Sequence, residues 1–266
     1  MDRSVLNKYK KEDEKLVLSK VMDKISFCET KNKIQVTDFF DLGQKQLIYN
    51  FLNSQKVKNY IFYGGFEEAE RVLAVFYPEK LEDLIQNINF NEYIKVIRIT
   101  LPNENKGKYT HQNYLGALMK LGLKREKIGD ILVDENGADI IIKEDILKFL
   151  ITNLSQLTRF QKSEIEEIKL EELRKAVIQK EKMTITVSSM RIDNIVAELA
   201  KCSRNKALEI INMERVFINF QSETKKTKQI KIGDIVTIRG KGRFYIKEML
   251  GQTKSGRYII KIEKFV

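Results

Sequence analysis

Five cations in the last third of the chain are spaced to hold phosphate. Arg191, Arg204 and Lys206 stand near the starts of two short helical stretches, and Lys241 and Arg243 flank Gly242 in a turn. A helix start offers backbone N–H groups and the positive end of a dipole to an anion. Cationic side chains beside it add directional donors for phosphate oxygens. A glycine turn stays narrow enough for a nucleic-acid backbone to come close. The chemistry is binding rather than bond-making. Each cation also has a plainer use. Arg191 has carboxylate partners in Asp193 or Glu214, and the other four would serve as solvated surface residues.

Lys124, Arg125 and Lys127 form a second, smaller basic edge after a helix, with simple solvation as the alternative. Residues for catalysis are sparse. His111 is the only histidine, and the two cysteines, Cys28 and Cys202, lie far apart without a CxxC. No zinc set can be assembled from them, and both read as small buried residues of a reducing cytoplasm. Gly64-Gly65 lacks the spacing of a nucleotide-binding fingerprint. No catalytic residue, metal or cofactor is expected. A lone histidine beside Tyr109 and Asn113 is more often structural than acid–base.

The charge distribution sharpens this. Of 48 Lys and Arg against 37 Asp and Glu, residues 181–266 hold 18 and 9, so most of the excess belongs to the last third. Such a surplus draws a chain towards polyanions. A solubilising lysine surface or an acidic membrane surface would use it equally. No run of 18 apolar residues is present, and the polar start at Met1–Tyr9 lacks the apolar core of a signal peptide.

The elements that must position these residues follow from periodicity. Residues 1–56 read as helical, with an apolar stripe through Leu16, Val17, Val21 and Ile25. Thr37 or Asp38 is a cap, and a helix spans about Gly43 to Asn53. An extended stretch at 57–66 and a strand at 71–77 are expected to form a hairpin through Gly64-Gly65 and its acidic neighbours, followed by a short helix at 81–88, a strand at 94–101 and a helix at 112–121. Asp134-Glu135-Asn136-Gly137 marks a hairpin between 128–133 and 138–142. A helix at 146–154 and a strand within 160–170 complete an α+β domain. Tyr60, Phe62, Phe76 and Tyr77 read first as packing. The charged stretch 171–182 is a helix or a hinge, with a boundary near Gln179. Beyond it, two short helices capped by Ser189 and Ser203 precede strands at 216–219, 235–238 and 258–262, with a basic loop at 224–228. The expected domains are a helical region 1–56, a central domain 57–180 and a basic module 181–266.

Ser188-Ser189-Met190-Arg191-Ile192-Asp193, Ser203-Arg204-Asn205-Lys206-Ala207, Lys231-Ile232-Gly233-Asp234-Ile235-Val236 and Arg239-Gly240-Lys241-Gly242-Arg243-Phe244 arrive in order. Over residues 183–245 they resemble the S4 RNA-binding domain. Arg71-Val72-Leu73-Ala74-Val75-Phe76-Tyr77-Pro78, the run from His111 to Met119, and Gly122-Leu123-Lys124-Arg125-Glu126-Lys127-Ile128-Gly129-Asp130 are similar to a bacterial family, the YlmH family. That resemblance implies a helical N-terminal part, a central α/β sandwich like an RNA-recognition (RRM) fold and a C-terminal S4 module of two helices on a small antiparallel sheet. It also implies RNA contacts at Arg191, Arg204, Lys206, Lys241 and Arg243. Family members usually carry His-Arg-Asp where this chain has His111-Gln112-Asn113, which weakens any role for that motif.

The implied function is non-catalytic binding of structured rRNA and tRNA in the cytoplasm. The expected place is the large ribosomal subunit, with peptidyl-tRNA in quality control of stalled chains. The alternatives are an RNA-modifying enzyme of the pseudouridine synthase type, for which no catalytic core is evident, and an interaction protein linked to translation or cell division.

Overall fold

The structure is a computed structural model that describes residues 2–174 and 180–265. It is an α+β chain with a helical N-terminal region and several antiparallel sheets. Two compact units divide it, Met1–Ala176 and Val177–Val266. The boundary expected near Gln179 falls outside the described residues.

In the first unit, α1 (Glu12–Lys31) buries Leu18, Val21, Met22, Ile25 and Cys28. These recur every three or four residues and so share one helix face. Strand β1 (Gln35–Val36) follows. Thr37 and Asp38 do not cap the next helix. Helix α2 (Leu42–Ser54) starts later, with Asp41 accepting from the Gln44 amide at 2.8 Å and Gln44 Oε1 accepting from the Asp41 amide at 3.1 Å. That reciprocal pair satisfies two otherwise orphaned donors. The Thr37 hydroxyl instead accepts from the Ala74 amide. Strands β2 (Tyr60–Tyr63) and β3 (Leu73–Phe76) form the expected hairpin, and β1 joins β3 on its other side.

The rest of this unit runs β4 (Ile94–Thr100), α3 (His111–Lys120), β5 (Ile128–Asp134), β6 (Gly137–Lys143), α4 (Leu147–Leu154) and β7 (Glu164–Ile168). The antiparallel sheet has the order β5-β6-β4-β7. Both helices pack on one face, where Ile97, Ile99, Ile140 and Ile142 meet Tyr114, Leu118, Leu150 and Leu154. The other face is covered too, with Ile94, Val96 and Ile141 in one core with Phe39, Leu73 and Val75. Residues before and after position 56 therefore share apolar cores, each fully buried side chain contributing about 1.5–3 kcal/mol.

The second unit runs β8 (Lys180–Val187), α5 (Ile192–Ala200), α6 (Arg204–Asn212), β9 (Val216–Ile218), β10 (Gln221–Ser222), β11 (Ile235–Ile238), β12 (Gly242–Gln252) and β13 (Tyr258–Phe265). One sheet, ordered β10-β9-β11-β12-β13-β8, takes both helices on a single face. Strand β8 corrects the expectation of a helix or hinge up to residue 182. It pairs along its whole length with β13, from Lys180 opposite Phe265 to Val187 opposite Tyr258. Lys180, Glu181 and Lys182 mask its alternation, and its partner is distant in the sequence.

A candidate nucleic-acid interface

The starts of α5 and α6 are built around one buried carboxylate. Asp193, 1% exposed, accepts from Arg191 Nε and Nη2, each at 3.1 Å. Arg204 donates to it from Nε at 2.9 Å and Nη2 at 2.6 Å. Burial pushes the Asp193 carboxyl up, but hydrogen bonds and charge from the two arginines outweigh it and hold the group below its ordinary range. Two cations thus share one anion, and Arg204 keeps 53% of its side chain in solvent. The outcome is a pair of oriented guanidiniums with a residual positive charge.

The backbone brings further cations to the same place. An isolated bridge pairs Arg191 with Gln229, Lys228 O accepts from the Ile192 amide at 2.9 Å, and Met190 O accepts from Ile230. The exposed loop carrying Lys225, Lys226 and Lys228 is thereby fixed beside the start of α5. The loop is basic by sequence alone, but its placement rests on contacts between residues nearly 40 apart. Asp193, by sequence one of two carboxylates open to Arg191, organises both arginines.

Two expectations about helix starts change. Ser189 does not cap α5. Arg191 holds the cap position, and the Ser189 hydroxyl accepts from the Asn194 side chain at 2.6 Å. The Ile192 and Asn194 amides are spent on Lys228 O and Asp193, so the end of α5 does not offer them to a ligand. Ser203 does cap α6, accepting from the Lys206 amide at 3.2 Å. The Lys206 ammonium lies 2.6 Å from Glu209, with both side chains more than half exposed. An exposed pair of this kind is worth little and opens readily.

Lys241 is exposed in the turn between β11 and β12. Arg243 is not brought to Arg191 and Arg204. Its neighbour Phe244 is buried under the helices, while the Arg243 guanidinium lies over the rings of Phe220 and Phe265 on the opposite sheet face. The five cations do not form one continuous surface, because strand alternation sends Arg243 the other way.

In the first unit only Lys124 of the secondary group is freely exposed. Arg125 donates to Ile128 O at 2.6 Å and Gly129 O at 3.2 Å, beside Arg71, which donates to Ile128 O at 2.8 Å. Burial, then the Arg71 charge, lowers Arg125 to about 10. Lys127 is held between Asp38 at 2.9 Å and Asp145 at 2.6 Å. Both are structural. The aromatics are too: Phe76 and Tyr77 are buried, and Tyr60 meets Phe62 edge-on at 5.5 Å. The ring of His111, though solvent reaches part of it, is held below its usual pKa by burial and then by Arg125. Among the described residues no group of three or more His, Cys, Asp or Glu could hold a metal ion, and no helix is long and apolar enough to cross a membrane.

Residues 89–172, which take in the four-stranded sheet of the first unit, match the family model described as "Putative RNA-binding domain in YlmH". The chain is 27% identical over 259 residues to the "Ribosome-associated protein quality control protein P2" of Bacillus subtilis (strain 168), covering 96% of both chains. Over residues 89–172 the chain is similar to the YlmH family. A solved structure, "Cell division protein ylmH from Streptococcus pneumoniae", shares the fold with a TM-score of 0.50 at 23% identity, over 63% of this chain and 98% of that one. The match to the B. subtilis protein spans both units.

Proposed function

We propose that this chain is a non-catalytic RNA-binding protein of the YlmH family that grips structured RNA with its second unit. The observation that carries the reading is the shared Asp193 clamp, which sets Arg191 and Arg204 side by side next to the Lys225–Lys228 loop. Lys206 on α6 and Lys241 in its turn extend the cationic surface. Such a face suits A-form RNA, recognised through shape, phosphates and 2′-hydroxyls without a deep pocket. The two helices on one face of an antiparallel sheet support an S4-type module over 181–266. The βαββαβ order of the first unit supports an RNA-recognition-like fold within 57–180.

The partner we propose is rRNA and tRNA on the large ribosomal subunit, with peptidyl-tRNA during quality control of stalled chains in the cytoplasm. The name of the B. subtilis relative supports it. The first unit would contribute little by base stacking, because the sheet face opposite its helices is filled by Phe39, Leu73 and Val75. Sedimentation of the full chain with purified large subunits tests the proposal. Lys206→Glu with Lys228→Glu should weaken binding and flatten its salt dependence by roughly two counterions. Unchanged affinity and slope would reject this surface.

A further inference from the structure

The sheet face of the second unit turned away from α5 and α6 carries a cross-strand row that combines rings and cations around Thr237. Register sets Phe217 opposite Thr237, Thr237 opposite Arg243, Arg243 opposite Phe265, and Phe265 opposite Lys180. The adjacent residues Ile218, Val236 and Phe244 are buried beneath the helices, so this row points outward. The Lys180 ammonium lies 5.2 Å and the Arg243 guanidinium 5.7 Å from the Phe265 ring centre. Arg243 is also 5.4 Å from Phe220, and Arg239 is 4.6 Å over Phe217. All three rings keep partial exposure.

Two further features mark the row as more than packing. Phe220 has φ +67 in the two-residue turn between β9 and β10, a conformation that a bulky L residue adopts at a steric cost and glycine does not. The cost delivers a ring to the surface beside Arg243. Among the described residues, the buried acid of this face, Glu263, is paired with both Lys247 and Lys180. Arginine planes and aromatic rings accept any exposed base by stacking, while the cations hold the phosphates between bases. A duplex presents no free base face to such a row.

We propose that this outer sheet face is a second RNA site, one that takes unpaired nucleotides by stacking them between Phe217, Phe220, Phe265 and the arginines Arg239 and Arg243. It lies on the opposite sheet face from the structured-RNA surface and does not depend on it. The test titrates the full chain with a labelled twelve-residue oligouridylate and, separately, with a blunt RNA hairpin. Phe220→Gly removes a ring while suiting the turn, and Phe265→Leu keeps apolar volume without a π face. The double variant should bind the oligouridylate about tenfold or more weakly and the hairpin as before. Lys206→Glu should do the reverse. Oligouridylate binding that is absent in the unaltered chain, unchanged in the double variant, or lost in step with hairpin binding overturns the proposal.

Discussion

Arg204 reaches back eleven residues to Asp193, placing Nη2 2.6 Å and Nε 2.9 Å from one carboxylate oxygen. Two helices are tied by this contact, and a carboxylate that is 1% exposed is made tolerable by it. Breaking a buried pair by removing one partner leaves an uncompensated charge. Asp193→Asn should therefore destabilise the second unit by about 3–5 kcal/mol, read by denaturant unfolding. A loss below about 1 kcal/mol would show that the clamp acts like a surface pair.

The same carboxylate sets an acid limit. Its folded pKa lies below the ordinary 3.8, so it contributes stability above that value, and the contribution is lost as pH falls through the lower folded value. Unfolding of the unaltered chain should steepen below about pH 4, and Asp193→Asn should flatten that part of the profile. Superimposable acid profiles would contradict this.

Charge reversal separates binding from folding only at the right residue. Arg204→Glu places a second carboxylate against Asp193 and should unfold the unit, so lost RNA binding there reports on folding. Lys206→Glu meets only the exposed Glu209 and should change stability by less than about 0.5 kcal/mol while weakening binding to structured RNA. Circular dichroism alongside salt-dependent titration checks both variants. A large melting shift in Lys206→Glu would be the contrary result.

Asp130 carries the opposite sign. Burial raises it to about 6, although the Glu70 and Arg71 amides pull it down. A raised acid means that the folded state holds a proton the unfolded state has lost, so stability falls as pH climbs from about 4 to about 6 and then levels. Asp130→Asn should abolish that decline. Melting temperatures measured every half unit across the window decide it, and a persisting decline would place its source elsewhere.

Gly137 tests why a glycine follows the hairpin turn. Its φ is +150, and a Cβ there would lie 1.8 Å from the Ile99 carbonyl oxygen. Gly137→Ala should cost several kcal/mol, on the order of the largest point-mutation effects, by forcing β6 from β4. Unfolding near the unaltered midpoint would show that the strands can part without loss.

Much of the architecture was legible in the sequence because its signals are local. The Asn136-Gly137 pair announced a hairpin, although the glycine serves a close approach to β4 rather than the centre of the turn. Ser203 announced α6, since an N-cap needs only the next three residues. The basic excess of the last third needed only counting. Strand β8 was hidden because its partner lies about 75 residues away and its lysines face solvent. Tertiary structure alone decided which cations share a surface: Asp193 gathers Arg191 and Arg204, carbonyls absorb Arg125, and strand alternation sends Arg243 to a row of rings on the other face. Composition specifies how much charge a chain carries, but direction and partnership arise only when distant segments pack.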